Sequence, residues 1–218
     1  MATQATMDLS EFMAWAASKG RALASLDFTK PLRDCRQAIV STTKENFTGG
    51  HGPDGRGWPP LKHGRPGGKQ AGLPLRDKGL LMASIISAGR GHIETLTPTT
   101  LVVGTNLEYA AIHQYGGTIT PKGHPFLAIP QTREAQRAGG AKNFPRPLVA
   151  VIGQRGGVLL EKRTTGKGRR AKVKDVVQYI LTRRVVIPAR PFLGLGQKLI
   201  DRFGTIFRDF VTKKMGKG

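Results

Sequence analysis

The chain has 218 residues, with 35 Lys and Arg against 14 Asp and Glu, and a formal charge of +21. Its length supports one domain with a real core, or one domain plus a sizeable insertion, while 29 glycines and 14 prolines put much of the backbone in turns, loops and extended arms. A lone cysteine, Cys35, excludes a disulfide framework and a cysteine-based zinc site; no apolar run is long enough to span a membrane, and Asp8 and Glu11 break the order of a signal peptide, so the chain is expected to stay in the cytoplasm where it is made.

Residues 8–47 read as helix. Phe12, Trp15 and Ala16 fall at three-and-four spacing after the capping groups of Asp8 and Ser10, and a second stretch begins near Asp27 with Leu32, Cys35, Ile39 and Val40 on one stripe. Pro31 is tolerable only in a first turn. Cys35 reads as a small core residue. Gly49-Gly50 closes the helix, and the turn-rich stretch 53–61 carries one large aromatic, Trp58, expected to pin that loop onto the core.

Residues 62–76 are basic and glycine-rich and read as a loop. A short helix follows over 76–85, with Asp77 as its N-cap, then a hairpin pairing 93–96 with 100–104 around Thr97-Pro98-Thr99. Residues 108–115 form a short helix ended by Gly116-Gly117, with Ile119 opening a strand. Strands are expected over 126–129, 148–152, 158–161 and 173–187, and residues 195–214 form an amphipathic helix with Leu195, Leu199, Phe203, Ile206, Phe207 and Phe210 on its apolar side.

The charge is unevenly placed. Residues 48–190 hold 23 basic and seven acidic residues, and 161–184 alone hold nine against two. Such a balance implies a polyanionic neighbour such as nucleic acid, an anionic membrane or an acidic protein surface; a solvated surface that keeps the chain soluble is the plainer reading. Lys162, Arg163, Lys167, Arg169, Arg170, Lys172 and Lys174 are the candidates for contact with DNA or an acidic partner.

Catalytic signals are weak. The five histidines show no zinc-helix spacing. His113 sits at a helix end without a nucleophile motif, where a hydrogen-bonding role, with a partly positive ring suited to the helix dipole, is the better expectation. No segment matches a P-loop or a dinucleotide-binding turn. The chain is therefore read as a non-enzyme without cofactor or metal.

Three segments together resemble the phage virion morphogenesis family, the tail-completion proteins of Mu-like and related tailed phages. The first is Asn46-Phe47 with residues 53–61 around Trp58. The second runs from Asp77 and Leu80-Leu81 through Val103-Gly104-Thr105 to Tyr109-Ala110-Ala111-Ile112-His113-Gln114-Tyr115-Gly116-Gly117. The third is Pro188-Ala189-Arg190-Pro191-Phe192-Leu193-Gly194, leading into the last helix. Of these, Trp58, Tyr109, His113, Gln114, Gly116, Gly117, Arg190, Pro191 and Phe192 are the candidate motif or interface residues. Arg190 is placed to fork onto carbonyls or a carboxylate, of this chain or of a neighbouring subunit.

The resemblance implies an α+β fold: a small antiparallel β-sheet packed by N- and C-terminal helices. Residues 120–185 depart from it, being longer than a minimal member needs; from their own pattern they read as an extended β-rich basic insertion in one domain spanning 1–218, and the resemblance does not carry what that insertion does. The resemblance also implies a virion neck or tail protein that acts as a tail terminator or head–tail joining subunit. Its copies would form a hexameric ring with tail tube, sheath and head-connector proteins as neighbours; that 120–185 and the last helix supply the inter-subunit contacts is an expectation from the chain itself. DNA passes through such a ring. The basic insertion is expected to meet mostly acidic protein, because a lumen gripping phosphates would retard the duplex; non-specific DNA binding is the alternative function.

Overall fold

A computed structural model describes residues 3–8, 10, 13–14, 26–61, 73–165 and 172–215. The chain divides into two compact units. Unit 1 comprises Met1–Pro60, Leu73–Gly116 and Pro188–Gly218, and unit 2 comprises Leu61–Gly72 and Gly117–Ile187.

Unit 1 is a three-stranded antiparallel sheet with helices, the α+β arrangement expected. Its strands are β1 (Thr3–Asp8), β2 (His92–Leu96) and β3 (Thr100–Thr105), in the order β1-β3-β2. Its helices are α1 (Thr29–Gly49), α2 (Leu80–Ile86), α3 (Ala110–Tyr115) and, at the end of the chain, α5 (Gln197–Met215). Within unit 2 lie β4 (Gly117–Ile119), β5 (Leu127–Pro130), α4 (Arg133–Arg137), β6 (Val149–Gly153), β7 (Gly156–Thr165), β8 (Lys172–Thr182) and β9 (Val185–Ile187).

Two readings of the sequence are corrected at the N-terminal side. Asp8 is not itself helical; it ends β1, whose residues pair antiparallel with Thr100 to Thr105. The pairing partner lies some 95 positions downstream, so local periodicity carries no trace of it. Ser10, Met13 and Ala14 are helical, while the expected face residues Phe12, Trp15 and Ala16 lie outside the described residues or their described side chains. The short helix begins at Leu80 behind Gly79, in a left-handed conformation, rather than behind Asp77.

α1 follows its sequence closely. Asp27 Oδ1 accepts from the Thr29 amide at 2.8 Å, Pro31 sits in the first turn where its missing N–H costs nothing, and Gly50 at φ 69° ends the helix by donating to Asn46 O. Phe28, Leu32, Cys35, Ile39 and Phe47 are buried along one face. They meet Leu199, Phe203 and Phe207 of α5, and the Phe28 ring lies 6.0 Å from that of Phe207. Each such side chain withdrawn from water contributes roughly 1.5–3 kcal/mol. Leu195, expected on that face, precedes α5 and is exposed. Burial pushes the Cys35 thiol up to about 12, so at neutral pH it is a protonated core residue.

Unit 2 is built on a four-stranded antiparallel sheet ordered β5-β8-β7-β6, with β4 paired to β9 beside it. The long β7–β8 hairpin pairs Gly156–Thr165 with Lys172–Thr182 and carries Lys162, Arg163, Lys172 and Lys174 toward its far end. The register shifts between Leu159, opposite Tyr179, and Leu160, opposite Val177, so Gln178 is an extra residue on β8. Such a bulge turns two consecutive side chains to one side, and Gln178 and Tyr179 are accordingly 0% and 1% exposed.

Candidate functional site

In unit 1 the three motif segments converge. Trp58 packs edge-on against Phe47 at 5.5 Å and 79°, and its indole Nε1 donates to Pro191 O at 2.7 Å. Arg190 is 4% exposed. Its Nε donates to Pro59 O at 2.8 Å and its Nη2 to Pro60 O at 3.0 Å, so the guanidinium fork closes on two carbonyls of the Trp58 loop. Burial lowers the Arg190 pKa from its usual value, but two charge-assisted hydrogen bonds hold the cation in place.

The second and third segments are joined by backbone and amide. Arg190 N donates to His113 O at 2.8 Å. Gln114 Oε1 accepts from Phe192 N at 3.0 Å and Leu193 N at 3.3 Å, while its Nε2 donates to Leu193 O at 2.7 Å. Phe192, 0% exposed, packs against Phe47 at 5.7 Å, and its carbonyl accepts from Asn46 Nδ2 at 3.4 Å. Asn46 and Phe47 belong to the first motif segment but are not among the candidate residues read from the sequence; their role shows only once the third segment is docked.

Glycines allow the close approach. Gly116 ends α3 at φ 73°, a conformation that L side chains rarely adopt. At Gly196 a Cβ would stand 1.9 Å from Pro53 O, so only glycine lets the start of α5 pass the Trp58 loop.

His113 differs from expectation. Its Nδ1 is buried without a hydrogen-bond partner among the described residues, and burial, with the nearby Arg190 charge, lowers the ring's pKa below 6.5. The ring is thus neutral rather than partly positive; it packs against Tyr109 at 6.0 Å, and the residue's hydrogen bond to the third motif is made by its carbonyl. Tyr109 and Pro191 are exposed, as is Gly117. Among the described residues no group of three His, Cys, Asp or Glu side chains is placed to hold a metal ion.

In unit 2 a polar network lies beneath the sheet. The Thr132 hydroxyl caps α4 by accepting from Ala135 N at 3.1 Å and donates to Gln178 Oε1. Gln178 Nε2 donates to Glu161 Oε2 at 2.5 Å. Glu161, 3% exposed, also receives Arg146 and, at 2.9 Å, Arg163. Glu134 bridges the same two arginines at 2.5 and 2.8 Å. The guanidinium groups of Arg163 and Arg146 hold the Glu161 carboxyl down at about 2. Nothing in the sequence announces this network, because Glu134, Arg146, Glu161 and Gln178 are brought together only by α4 docking on the bulged hairpin.

The basic candidates are therefore not alike. Arg163 is held by two carboxylates. Lys162, Lys172 and Lys174 are exposed near the far end of the hairpin, where Lys162 faces Asp175 across the strands, Arg163 faces Lys174 and Thr165 faces Lys172. Lys167, Arg169 and Arg170 lie outside the described residues. Among the described residues no helix is long and apolar enough to cross a membrane.

The sequence model of the phage virion morphogenesis family matches residues 7–209. That span takes in all three motif segments and the whole of unit 2. No curated protein and no solved structure matches the chain significantly.

Proposed function

The chain belongs to the phage virion morphogenesis family, and from that premise we propose that it is a structural, non-enzymatic subunit of a ring at the head–tail junction. There it completes the tail or joins it to the head connector. The observation that carries this reading is the family match over 7–209, together with how the residues of its most recognisable strings are used. Gln114, Arg190 and Trp58 spend their polar groups on neighbouring backbone, which suits a rigid scaffold rather than a reacting site.

A reconstruction of intact virions tests it. Ring-shaped density for this chain between head and tail supports the proposal; absence from the mature particle overturns it in favour of an assembly factor. Turnover of any substrate that is lost in His113→Ala while assembly persists overturns the non-enzymatic part.

The exposed Lys162, Lys172 and Lys174 at the hairpin end favour a second reading, sequence-independent nucleic-acid binding. It predicts duplex affinity that falls steeply with salt, by nearly one logarithmic unit per logarithmic unit of salt for each phosphate neutralised.

A further inference from the structure

Among the described residues, unit 2 carries an apolar sheet face whose side chains are half-buried or exposed and an apolar strand edge that is exposed. Ile129, Ile180, Val158 and Val151 are successive cross-strand partners from β5 through β8 and β7 to β6, and so form one row on one face. Val177, Leu160 and Val149 form the next row on that face, displaced by the bulge at Gln178. None of these seven belongs to the buried core found among the described residues, and Val151, Val149 and Val177 are 53%, 42% and 38% exposed. The opposite face carries Tyr179 and Leu159, which pack with Phe144 and Ala135.

The outer strand makes the exposure sharper. β6, Val149–Gly153, is an edge of the sheet, and all five of its residues are exposed. Edge strands are normally blunted by charge, proline or a bulge; the sequence Val-Ala-Val-Ile-Gly has none of these. Such an edge is a template for an added strand.

Charge selects the occupant. Residues 117–187 contain 15 Lys and Arg and three acids, and two of the acids, Glu134 and Glu161, are already engaged by Arg146 and Arg163. Arg155, in the β6–β7 turn, and Lys162, on β7 beyond Leu160, flank the apolar rows and are exposed. A second copy of the sheet would bring the same surplus within a Debye length of about 8–10 Å. Duplex DNA offers neither a strand to pair nor an apolar surface.

We propose that the β6 edge and the adjoining apolar face receive an extended strand from a different, acidic protein, with apolar residues alternating with Asp or Glu. Within the ring reading above, on which it rests, this assigns the sheet of unit 2 to another protein of the particle rather than to the neighbouring copy.

The test uses the full chain and a labelled synthetic peptide of alternating Val and Glu. Saturable binding is expected, with β6 amides protected from hydrogen exchange. Alternate N-methylation of the peptide should abolish it. Val151→Lys, at an exposed position and checked for folding by circular dichroism, should weaken it about tenfold, close to 1.4 kcal/mol. Lys162→Glu should weaken it in low salt and not in high salt. No binding, equal binding by polyglutamate, or no protection of β6 overturns the proposal. Self-association of the chain abolished by Val151→Lys overturns it in favour of a second copy, and displacement of the peptide by duplex DNA overturns it in favour of nucleic acid. A failed peptide assay leaves the ring reading standing, whereas absence of ring density in virions leaves the peptide result standing.

Discussion

The side-chain amide of Gln114 is bonded at both ends to the backbone of Leu193, donating to its carbonyl at 2.7 Å and accepting from its amide at 3.3 Å. In effect one glutamine replaces a strand partner for the segment that leads into α5. It is this pairing, made across 79 positions of sequence, that ties the end of α3 to the approach of the last helix.

Gln114→Ala should therefore destabilise unit 1 by about 2–4 kcal/mol, because it strands the Leu193 carbonyl and the Phe192 and Leu193 amides away from partners. Urea unfolding followed by Trp fluorescence measures it. A loss under about 0.5 kcal/mol, the level of an ordinary surface substitution, would mean that water replaces the amide without penalty.

Arg190→Lys keeps the charge and loses the fork. A single ammonium cannot reproduce two parallel bonds to Pro59 O and Pro60 O, so a loss of about 1–3 kcal/mol is expected. Arg190→Met should also raise the His113 pKa, since the Arg190 charge is the second cause lowering it; burial, the first, remains. NMR titration of the imidazole reads the shift directly, and an unchanged titration would refute the coupling.

The two units should respond to acid in different windows. His113 has a folded-state pKa below 6.5, so the unfolded chain binds the proton more readily and stability falls as pH drops through that range. Glu161 is depressed to about 2 from 4.5; its contribution is complete above 4.5 and is lost as pH falls toward 2. Hydrogen exchange resolved by segment should show unit 1 loosening first, and Glu161→Gln should remove the lower-pH step from unit 2 alone.

Gly196→Ala should be poorly tolerated. The added carbon would lie 1.9 Å from a backbone oxygen of Pro53, which cannot swing aside as a side-chain tip does. Misplacement of the start of α5 should lower the melting temperature by several degrees, the effect of about 1–3 kcal/mol of overpacking. An alanine variant melting with the parent would show that the Trp58 loop yields.

By itself the sequence determined the helices whose apolar stripes repeat within a few turns, the β2–β3 hairpin with its short turn, the glycine stops at Gly50 and Gly116, and family membership through strings of adjacent residues. All of these are local: the information sits within one element or one motif. Only the tertiary structure decided the rest. It recruited Thr3–Asp8 as a strand through a partner far downstream, and turned Gln178 inward beside Tyr179 through a one-residue register shift. It gathered Glu134, Arg146, Glu161 and Arg163 into one network, which takes Arg163 out of the free basic surface. It also placed β6 at the sheet edge, with all five of its residues exposed. Pairing, register and edge position are relations between distant segments, and hydrophobic periodicity can say that a strand exists without saying what lies beside it.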